Sequence, residues 1–364
     1  MELEEMVALS VKHNAGDLHL CSGHSPRWRR HGRLEAIPDA APLTPDWLAR
    51  FAAAHLDRRQ RDELAAQGQI DFALCLASGE RLRANLFAQR QGLSLALRTL
   101  ASRCPTLESL HLPPAAARWL TLEDGLVLIA GATGSGKSTT LAAMVDAINR
   151  QQARHIITLE DPIEFIHQSQ RALIQQREIG AHCASFSLGL RAALREDPDV
   201  ILLGELRDGD TIRQALTAAE TGHLVLATLH TRGAAQAIDR LVDVFPAEEK
   251  NLVRAQLAGS LKGVMAQKLV AARDGGRVGL FEVLVATPAI ANLIRDGKLH
   301  QIAGLLQTGA QAGMQTFEQS LRARQREGRV AAPDASAGPL AAQSWQSDAS
   351  VGLEPVLQNN GGRL

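Results

Sequence analysis

Residues Leu126 to Arg150, LVLIAGATGSGKSTTLAAMVDAINR, constrain the fold of this chain more than any other stretch. Leu126–Ala130 is a short run without a polar residue, the pattern of a strand buried on both faces. Gly131, Ala132, Thr133, Gly134, Ser135, Gly136, Lys137 and Ser138 follow at once, with Thr139 behind them. They fill every fixed position of the G-x-x-x-x-G-K-[ST] phosphate loop. A helix comes next, with Leu141, Met144, Val145 and Ile148 spaced three and four apart. That order has a physical reason. Glycines let the backbone curl so that successive N–H groups converge on phosphate oxygens, and the helix adds its positive end. Lys137 can reach the β- and γ-phosphates, and the Ser138 hydroxyl is placed to ligate Mg²⁺. A chance Gly-rich turn would need neither the strand before it nor the amphipathic helix after it. The stretch reads as a nucleoside-triphosphate site.

The totals narrow the surroundings of that site. A chain of 364 residues has room for two domains, and 45% hydrophobic with 21% charged residues describes an ordinary globule. Lys plus Arg and Asp plus Glu both number 39, which gives no support for a general nucleic-acid binder. No apolar run approaches the length of a membrane span, and Met1-Glu-Leu-Glu-Glu5 is the opposite of a basic signal-peptide start. Cys21, Cys75, Cys104 and Cys183 are scattered without a C-x-x-C pair, as expected of reduced, structural thiols in the cytoplasm.

Residues 1–101 read as a small α+β domain. A helix over Leu3–His13 leads to a strand at Asp17–Leu20, a hairpin over Trp28–Leu34 turning at His31-Gly32, and a helix over Pro45–Ala66. Apolar alternation through Ile70–Leu76, Leu82–Leu86 and Leu93–Leu97 predicts three strands. Arg81, Arg83 and Arg98 take the opposite face of these strands, either as a solvated surface or as a basic face that closes over a nucleotide held by the second domain. Residues 102–116 carry Pro105, Pro113 and Pro114 and read as a linker. In residues 117–330, strands at 126–130, 155–159, 199–203 and 223–228 alternate with helices at 138–150, 186–196, 209–220 and 247–268. This pattern argues for a parallel sheet with crossover helices. A helical segment is expected from about 286 to Gly328, and a disordered tail over 331–364.

Hydrolysis needs a group that orients water and a partner for the metal. Two apolar strands run into acids: Ile156-Ile-Thr-Leu into Glu160, and Val200-Ile-Leu-Leu203 into Gly204-Glu205. Carboxylates at that edge of a parallel sheet face the ligand crevice. Glu160, at the strand end itself, is the better candidate base, with Asp161 and Glu164 close behind. Gly204 stands where the generic motif has Asp, so direct Mg²⁺ ligation falls to Ser138, with Glu205 acting on the metal through water. His223 and His230 bracket a third apolar run, and at least one of them is expected to sense the γ-phosphate. The spacing lacks the further ligands zinc would need.

Four segments, GATGSGKSTTLAAM, ITLEDPIEF, LREDPDVILLGELRD and TAAETGHLVLATLHT, resemble the Walker A, Asp-box, Walker B and His-box motifs of the secretion-superfamily (GspE/PilT) ATPases. Within that superfamily the pilus retraction type matches best. The likeness extends to AIDRLVDVFPAEEK, TPAIANLIRDGK and MQTFEQSL, and SVKHNAGDLHL is similar to the family's N-terminal PAS-like domain. It implies a RecA-like ATPase domain behind a PAS-like α+β domain, binding ATP and Mg²⁺. It also implies a homohexamer working on an inner-membrane pilus platform protein from the cytoplasmic side, alongside a paralogous pilus ATPase in some systems. Carried over by motif, Glu160 is the catalytic carboxylate, Glu205 the Walker B acid, His223 and His230 the His-box pair, and Arg83 and Arg98 the arginines that reach the nucleotide. The segment Ala289–Lys298 matches one linked to retraction, with Ala291 in place of its first Arg. An assembly or secretion ATPase of the same superfamily, usually marked by a C-x-x-C zinc module absent here, and a DNA-translocating ATPase are the alternatives.

Overall fold

The computed structural model describes residues 1–13, 15–30, 33–100 and 104–331. The expected turn at His31-Gly32 and all but the first residue of the expected disordered tail lie outside the described residues. Among the described residues two sheets form, one antiparallel and one largely parallel.

The antiparallel sheet is built from β1 (Asp17–Cys21), β2 (Arg27–Arg30), β3 (Arg33–Ala36), β4 (Gln69–Cys75), β5 (Arg81–Gln89) and β6 (Gly92–Thr99), in the order β3-β2-β1-β6-β5-β4. Period-two alternation sends Leu18, Leu20, Phe72, Leu82, Leu86, Leu95 and Leu97 to one face. There they bury against α1 (Leu3–Lys12) and α2 (Pro45–His55) through Met6, Val7, Leu48 and Phe51. The other face keeps the polar residues, among them Asp17, Arg81, Arg83 and Arg98. The single helix expected over Pro45–Ala66 is two, because Asp57 turns the chain and caps α3 (Arg58–Gln67) through a reciprocal capping box with Gln60.

The second sheet runs β13-β12-β7-β11-β10-β8-β9. Its members are β7 (Gly125–Ala130), β8 (His155–Glu160), β9 (Leu173–Glu178), β10 (Val200–Leu203), β11 (Leu224–Leu229), β12 (Leu261–Ala271) and β13 (Arg277–Val285). All are parallel except β13. α4 (Pro114–Trp119) and α5 (Lys137–Gln151) cover one face with Trp119, Leu141, Met144 and Ile148. α6 (Phe186–Ala193), α7 (Gly209–Glu220), α8 (Ala234–Asp243) and α9 (Lys250–Ser260) cover the other, joined by α10 (Pro288–Arg295) and α11 (Ile302–Thr308). β7 is thus buried on both sides, as its run of apolar residues requires.

Several expectations are corrected. Residues 247–268 are not one helix: α9 ends at Ser260 and the chain continues as β12, paired along its length with β13. Leu261–Ala271 is apolar on nearly every residue of its first half, which suits a strand buried on both faces as well as a buried helix, and pairing with β7 and β13 decides for the strand. β9 and α8 were not anticipated, and the segment 286–328 is broken into α10, α11 and α12 (Phe317–Arg326) with short 3₁₀ turns between. Pro114–Ala116, read as linker, open α4, and Ala115 and Ala116 are buried in the core under β7.

Gly263 is fixed by space: a Cβ there would lie 2.2 Å from a ring carbon of Trp119 and 2.9 Å from the Leu284 carbonyl. Gly263→Ala is expected to lower the stability of the parallel-sheet unit by about 1–3 kcal/mol, the ordinary cost of overpacking a rigid core. Urea unfolding followed by tryptophan fluorescence checks this.

Candidate functional site

The carboxyl ends of β7, β11, β10 and β8 lie side by side, so the loops leaving them converge on one edge of the sheet. A cleft of about 1130 Å³ lies there, between this edge and the polar face of the antiparallel sheet. Thr133, Gly134, Gly136, Lys137, Ser138, Thr139, Glu160, Glu205 and His230 line it from one side, and Arg83 and Arg98 from the other. Gly131 and Ser135 form the buried underside of the phosphate loop, and Ala132 is exposed on its rim.

The loop is braced from below. A Cβ at Gly131 would fall 2.3 Å from Ser135 Oγ and 2.7 Å from the Gln267 carbonyl, so only glycine fits. Gly136 takes φ 89° in the left-handed region as it opens α5, and no side chain caps that helix. Gln267 on β12 donates its amide to the Ser135 carbonyl (2.6 Å) and accepts from Thr140 Oγ1 (3.0 Å), tying the loop to α5. Lys137 Nζ donates to the carbonyls of Gly131 (2.9 Å) and Ala132 (3.1 Å). Burial holds the Lys137 ammonium below its ordinary range, against the opposing pull of Glu205 and Glu164.

The two acids sit in different surroundings. Glu160 accepts from Thr158 Oγ1 (2.7 Å) and from the Gln176 amide (3.1 Å) on one carboxylate oxygen. Burial is the largest influence on it and raises its pKa above the carboxylate range in spite of those donors. Glu205 is also penalised by burial, yet Arg207 (2.7 Å) and His230 Nε2 (3.3 Å) outweigh this and hold its pKa below the ordinary value. His230 Nδ1 lies 3.4 Å from Thr133 Oγ1, so the imidazole bridges the Glu205 carboxylate to the phosphate loop. Gly204 has a local reason too: a Cβ would come within 3.3 Å of the Leu159 carbonyl and 3.4 Å of Glu160 Cα, where β10 packs beside the end of β8.

His223 is the exception among the expected site residues. It precedes β11, at the amino edge of the sheet, and its Nδ1 lies 3.0 Å from the Ala218 carbonyl. The six residues of β11 separate it from His230, roughly 20 Å at the usual rise per residue. It does not line the cleft, because the histidines flank the strand at opposite ends. Arg83 and Arg98 are directly opposite each other on β5 and β6, and Arg98 Nε pairs with Asp17 (2.7 Å). Sequence reasoning missed Gln267, hidden by the helical reading of its segment, and Gln176, on the unanticipated β9. Thr158 was legible in principle, since period-two alternation puts it on the same side of β8 as Glu160.

A family model described as "Type II/IV secretion system protein" matches residues 5–336. The chain belongs to that family. Among its relatives, the uncharacterised protein YggR of Escherichia coli K12 is 61% identical over 330 residues, covering 91% of this chain and 100% of that one. The type IV pilus retraction ATPase PilT of Pseudomonas aeruginosa is 45% identical over 335 residues, covering 92% of this chain and 97% of that one. A crystal structure of the pilus retraction motor PilT with bound ADP superposes with a TM-score of 0.83 at 40% identity, covering 92% of this chain and 98% of that one. The chain is thus an ATPase of the GspE/PilT type, with a largely parallel α/β sheet behind an antiparallel N-terminal domain.

The residues present fit a Mg²⁺ ion held jointly with phosphate. The Ser138 hydroxyl in the first turn of α5 and the Glu205 carboxylate both face the cleft. Among the described residues no group of three or more His, Cys, Asp or Glu forms a protein-only cage. Mg²⁺ commonly takes one or two protein ligands beside phosphate oxygens and water. For Glu160, carbon-detected NMR titration is expected to show a midpoint above the ordinary carboxylate range. Gln176→Leu removes a donor to the charged form and moves that midpoint further up; a midpoint that stays put would contradict the hydrogen-bond account.

Proposed function

We propose that this protein is a Mg²⁺-dependent ATPase motor that drives retraction of a type IV pilus. The observation that carries the reading is the meeting, in one cleft, of a phosphate loop, two acids in contrasting surroundings and arginines from a second lobe. The PilT relatives supply the pilus context. The working unit is a homohexamer of two-lobed subunits, an N-terminal lobe up to about residue 101 and a nucleotide lobe that begins with α4. It acts from the cytoplasm on the inner-membrane platform protein of a pilus machine, and a paralogous pilus ATPase would work on the same platform. No helix among the described residues is long and apolar enough to cross a membrane.

In this reading the loop N–H groups and Lys137 hold the β- and γ-phosphates of ATP. Bound Mg²⁺ would neutralise charge developing on the bridging and terminal oxygens. Ser138 would offer it a hydroxyl, and Glu205, held ionised by Arg207 and His230, would act on it through water. Glu160 takes a proton from the attacking water, and its raised pKa makes it a stronger base once deprotonated. Arg83 has no ion pair among the described residues and reaches toward the γ-phosphate from the other lobe, with Arg98 beside it. A γ-phosphate gripped by both lobes favours the closed pose, and its loss removes that preference.

Turnover by the purified protein tests the site. Glu160→Gln is expected to bind ATP normally and lose about 10²–10⁴-fold in kcat, the usual worth of a general base. Lys137→Ala is expected to lose nucleotide binding itself. Undiminished hydrolysis in both would defeat the assignment, and unchanged pilus retraction in a strain lacking the gene would defeat the motor role.

Because the working base must be a carboxylate, kcat of the wild-type enzyme is expected to fall as pH drops through the raised pKa of Glu160. The acid limb therefore lies at higher pH than for an ordinary glutamate. A rate profile with no limb above the ordinary carboxylate range would contradict Glu160 as base.

A further inference from the structure

We propose that Arg81 is a positioning residue for Glu160, tying the antiparallel sheet to the loop that follows this candidate base. The pose of one lobe thereby sets the aim of a carboxylate in the other. The inference rests on the proposed ATPase role of Glu160. Arg81 opens β5, and its backbone is fixed within its own lobe by the Leu100 N–H, which donates to its carbonyl (2.8 Å). Its side chain leaves that lobe. One guanidinium nitrogen donates to the Ile163 carbonyl (2.7 Å) and the other to the Glu164 carbonyl (3.0 Å). An arginine at an alternating strand position is ordinarily a solvated charge; here it is partly buried and bonded to residues more than eighty positions away.

The loop it grips is held on its far side by β9. The Ile163 N–H donates to Glu178 Oε2 (3.1 Å), and the His167 N–H donates to Gln176 Oε1 (2.8 Å). The Gln176 amide nitrogen donates both to the Phe165 carbonyl (2.8 Å) and to Glu160 Oε1 (3.1 Å). The same amide therefore orients the loop and the carboxylate, and Arg81 clamps the loop within two residues of Phe165. Hydrogen bonds weaken steeply with misalignment, so a lobe displacement on the order of 1 Å suffices to release the clamp. The planar guanidinium puts a separate nitrogen on each carbonyl in a fixed orientation, which the single, freely rotating ammonium nitrogen of a lysine does not reproduce.

The chemistry this adds is gating. β5 carries Arg83 into the cleft two residues beyond Arg81, so lobe closure delivers the arginine and aims the base in one movement. An open pose leaves Gln176 and Glu160 free to drift, and ATP can bind without being committed to hydrolysis.

Steady-state kinetics of the full-length protein test this. Arg81→Ala and Arg81→Lys are each expected to lower kcat about tenfold, the worth of a charged hydrogen-bonded contact, while KM for ATP and ADP binding stay within about twofold. In a Gln176→Ala background, Arg81→Ala should cost less than it does alone, because only the Glu164 backbone then still links the clamped loop to the Glu160 carboxylate. Hydrogen exchange at the Ile163 and His167 amides should accelerate in Arg81→Ala, a readout independent of turnover. An unchanged kcat in both Arg81 variants, a full multiplicative loss in the Gln176→Ala background, or unchanged exchange of the loop would each overturn the proposal. A wild-type protein without ATP turnover would instead defeat the proposed function, and the exchange measurement would still decide whether the clamp exists.

Discussion

The site depends on the in-register parallel pairing of β8, β10, β11 and β7. Leu203 stands opposite both Leu159 and Ala227, and Ala130 stands opposite Leu229, so the strands end together. A slip of one residue between β8 and β10 would shift Glu160 against Glu205 by about 3.3 Å, a hydrogen-bond length. What prevents the slip is packing: both faces of these strands are filled, and protein interiors yield little to displacement. Gly204 allows the closest approach, where its backbone N–H donates to the Leu159 carbonyl (2.7 Å) beside Glu160.

On that frame the electrostatics divide the labour. Two glutamates at neighbouring strand ends are pushed in opposite directions, one upward by burial and the other downward by a guanidinium and an imidazole. In the proposed reaction, such a split would give one cleft both a proton acceptor and a fixed negative charge. The second lobe adds the cations. Its helices bury one face of the antiparallel sheet and leave Arg81, Arg83 and Arg98 on the other, so the alternation that builds its core also builds the surface that meets the nucleotide domain.

Much of this was legible in the residues. The apolar runs before Gly131, Glu160, Glu205 and His230 marked four strands almost to the residue, because strands buried on both faces read as nearly continuous apolar runs. The phosphate loop could be read because its chemistry fixes spacing. Less legible were features decided by tertiary neighbours. Leu261–Ala271 has no period that separates a buried helix from a buried strand, so Gln267 and its brace under the loop were lost with it. β9 carries Gln175, Gln176 and Arg177 where an apolar pattern would be expected, and its strand state comes from pairing with β8. His223 looked equivalent to His230 in sequence, since flanking a strand does not say which edge faces the cleft. The contacts of Arg81 with two backbone carbonyls leave no mark in any local pattern.

The central claim is that both lobes read the same phosphate. Paired spin labels at exposed Arg90 and Glu248, in a background with the native cysteines replaced, report the distance between lobes by pulsed electron resonance. With Glu160→Gln holding ATP intact, the account predicts one closed distance distribution with ATP and a longer or broader one with ADP. Identical distributions in the empty, ATP-bound and ADP-bound states would contradict it.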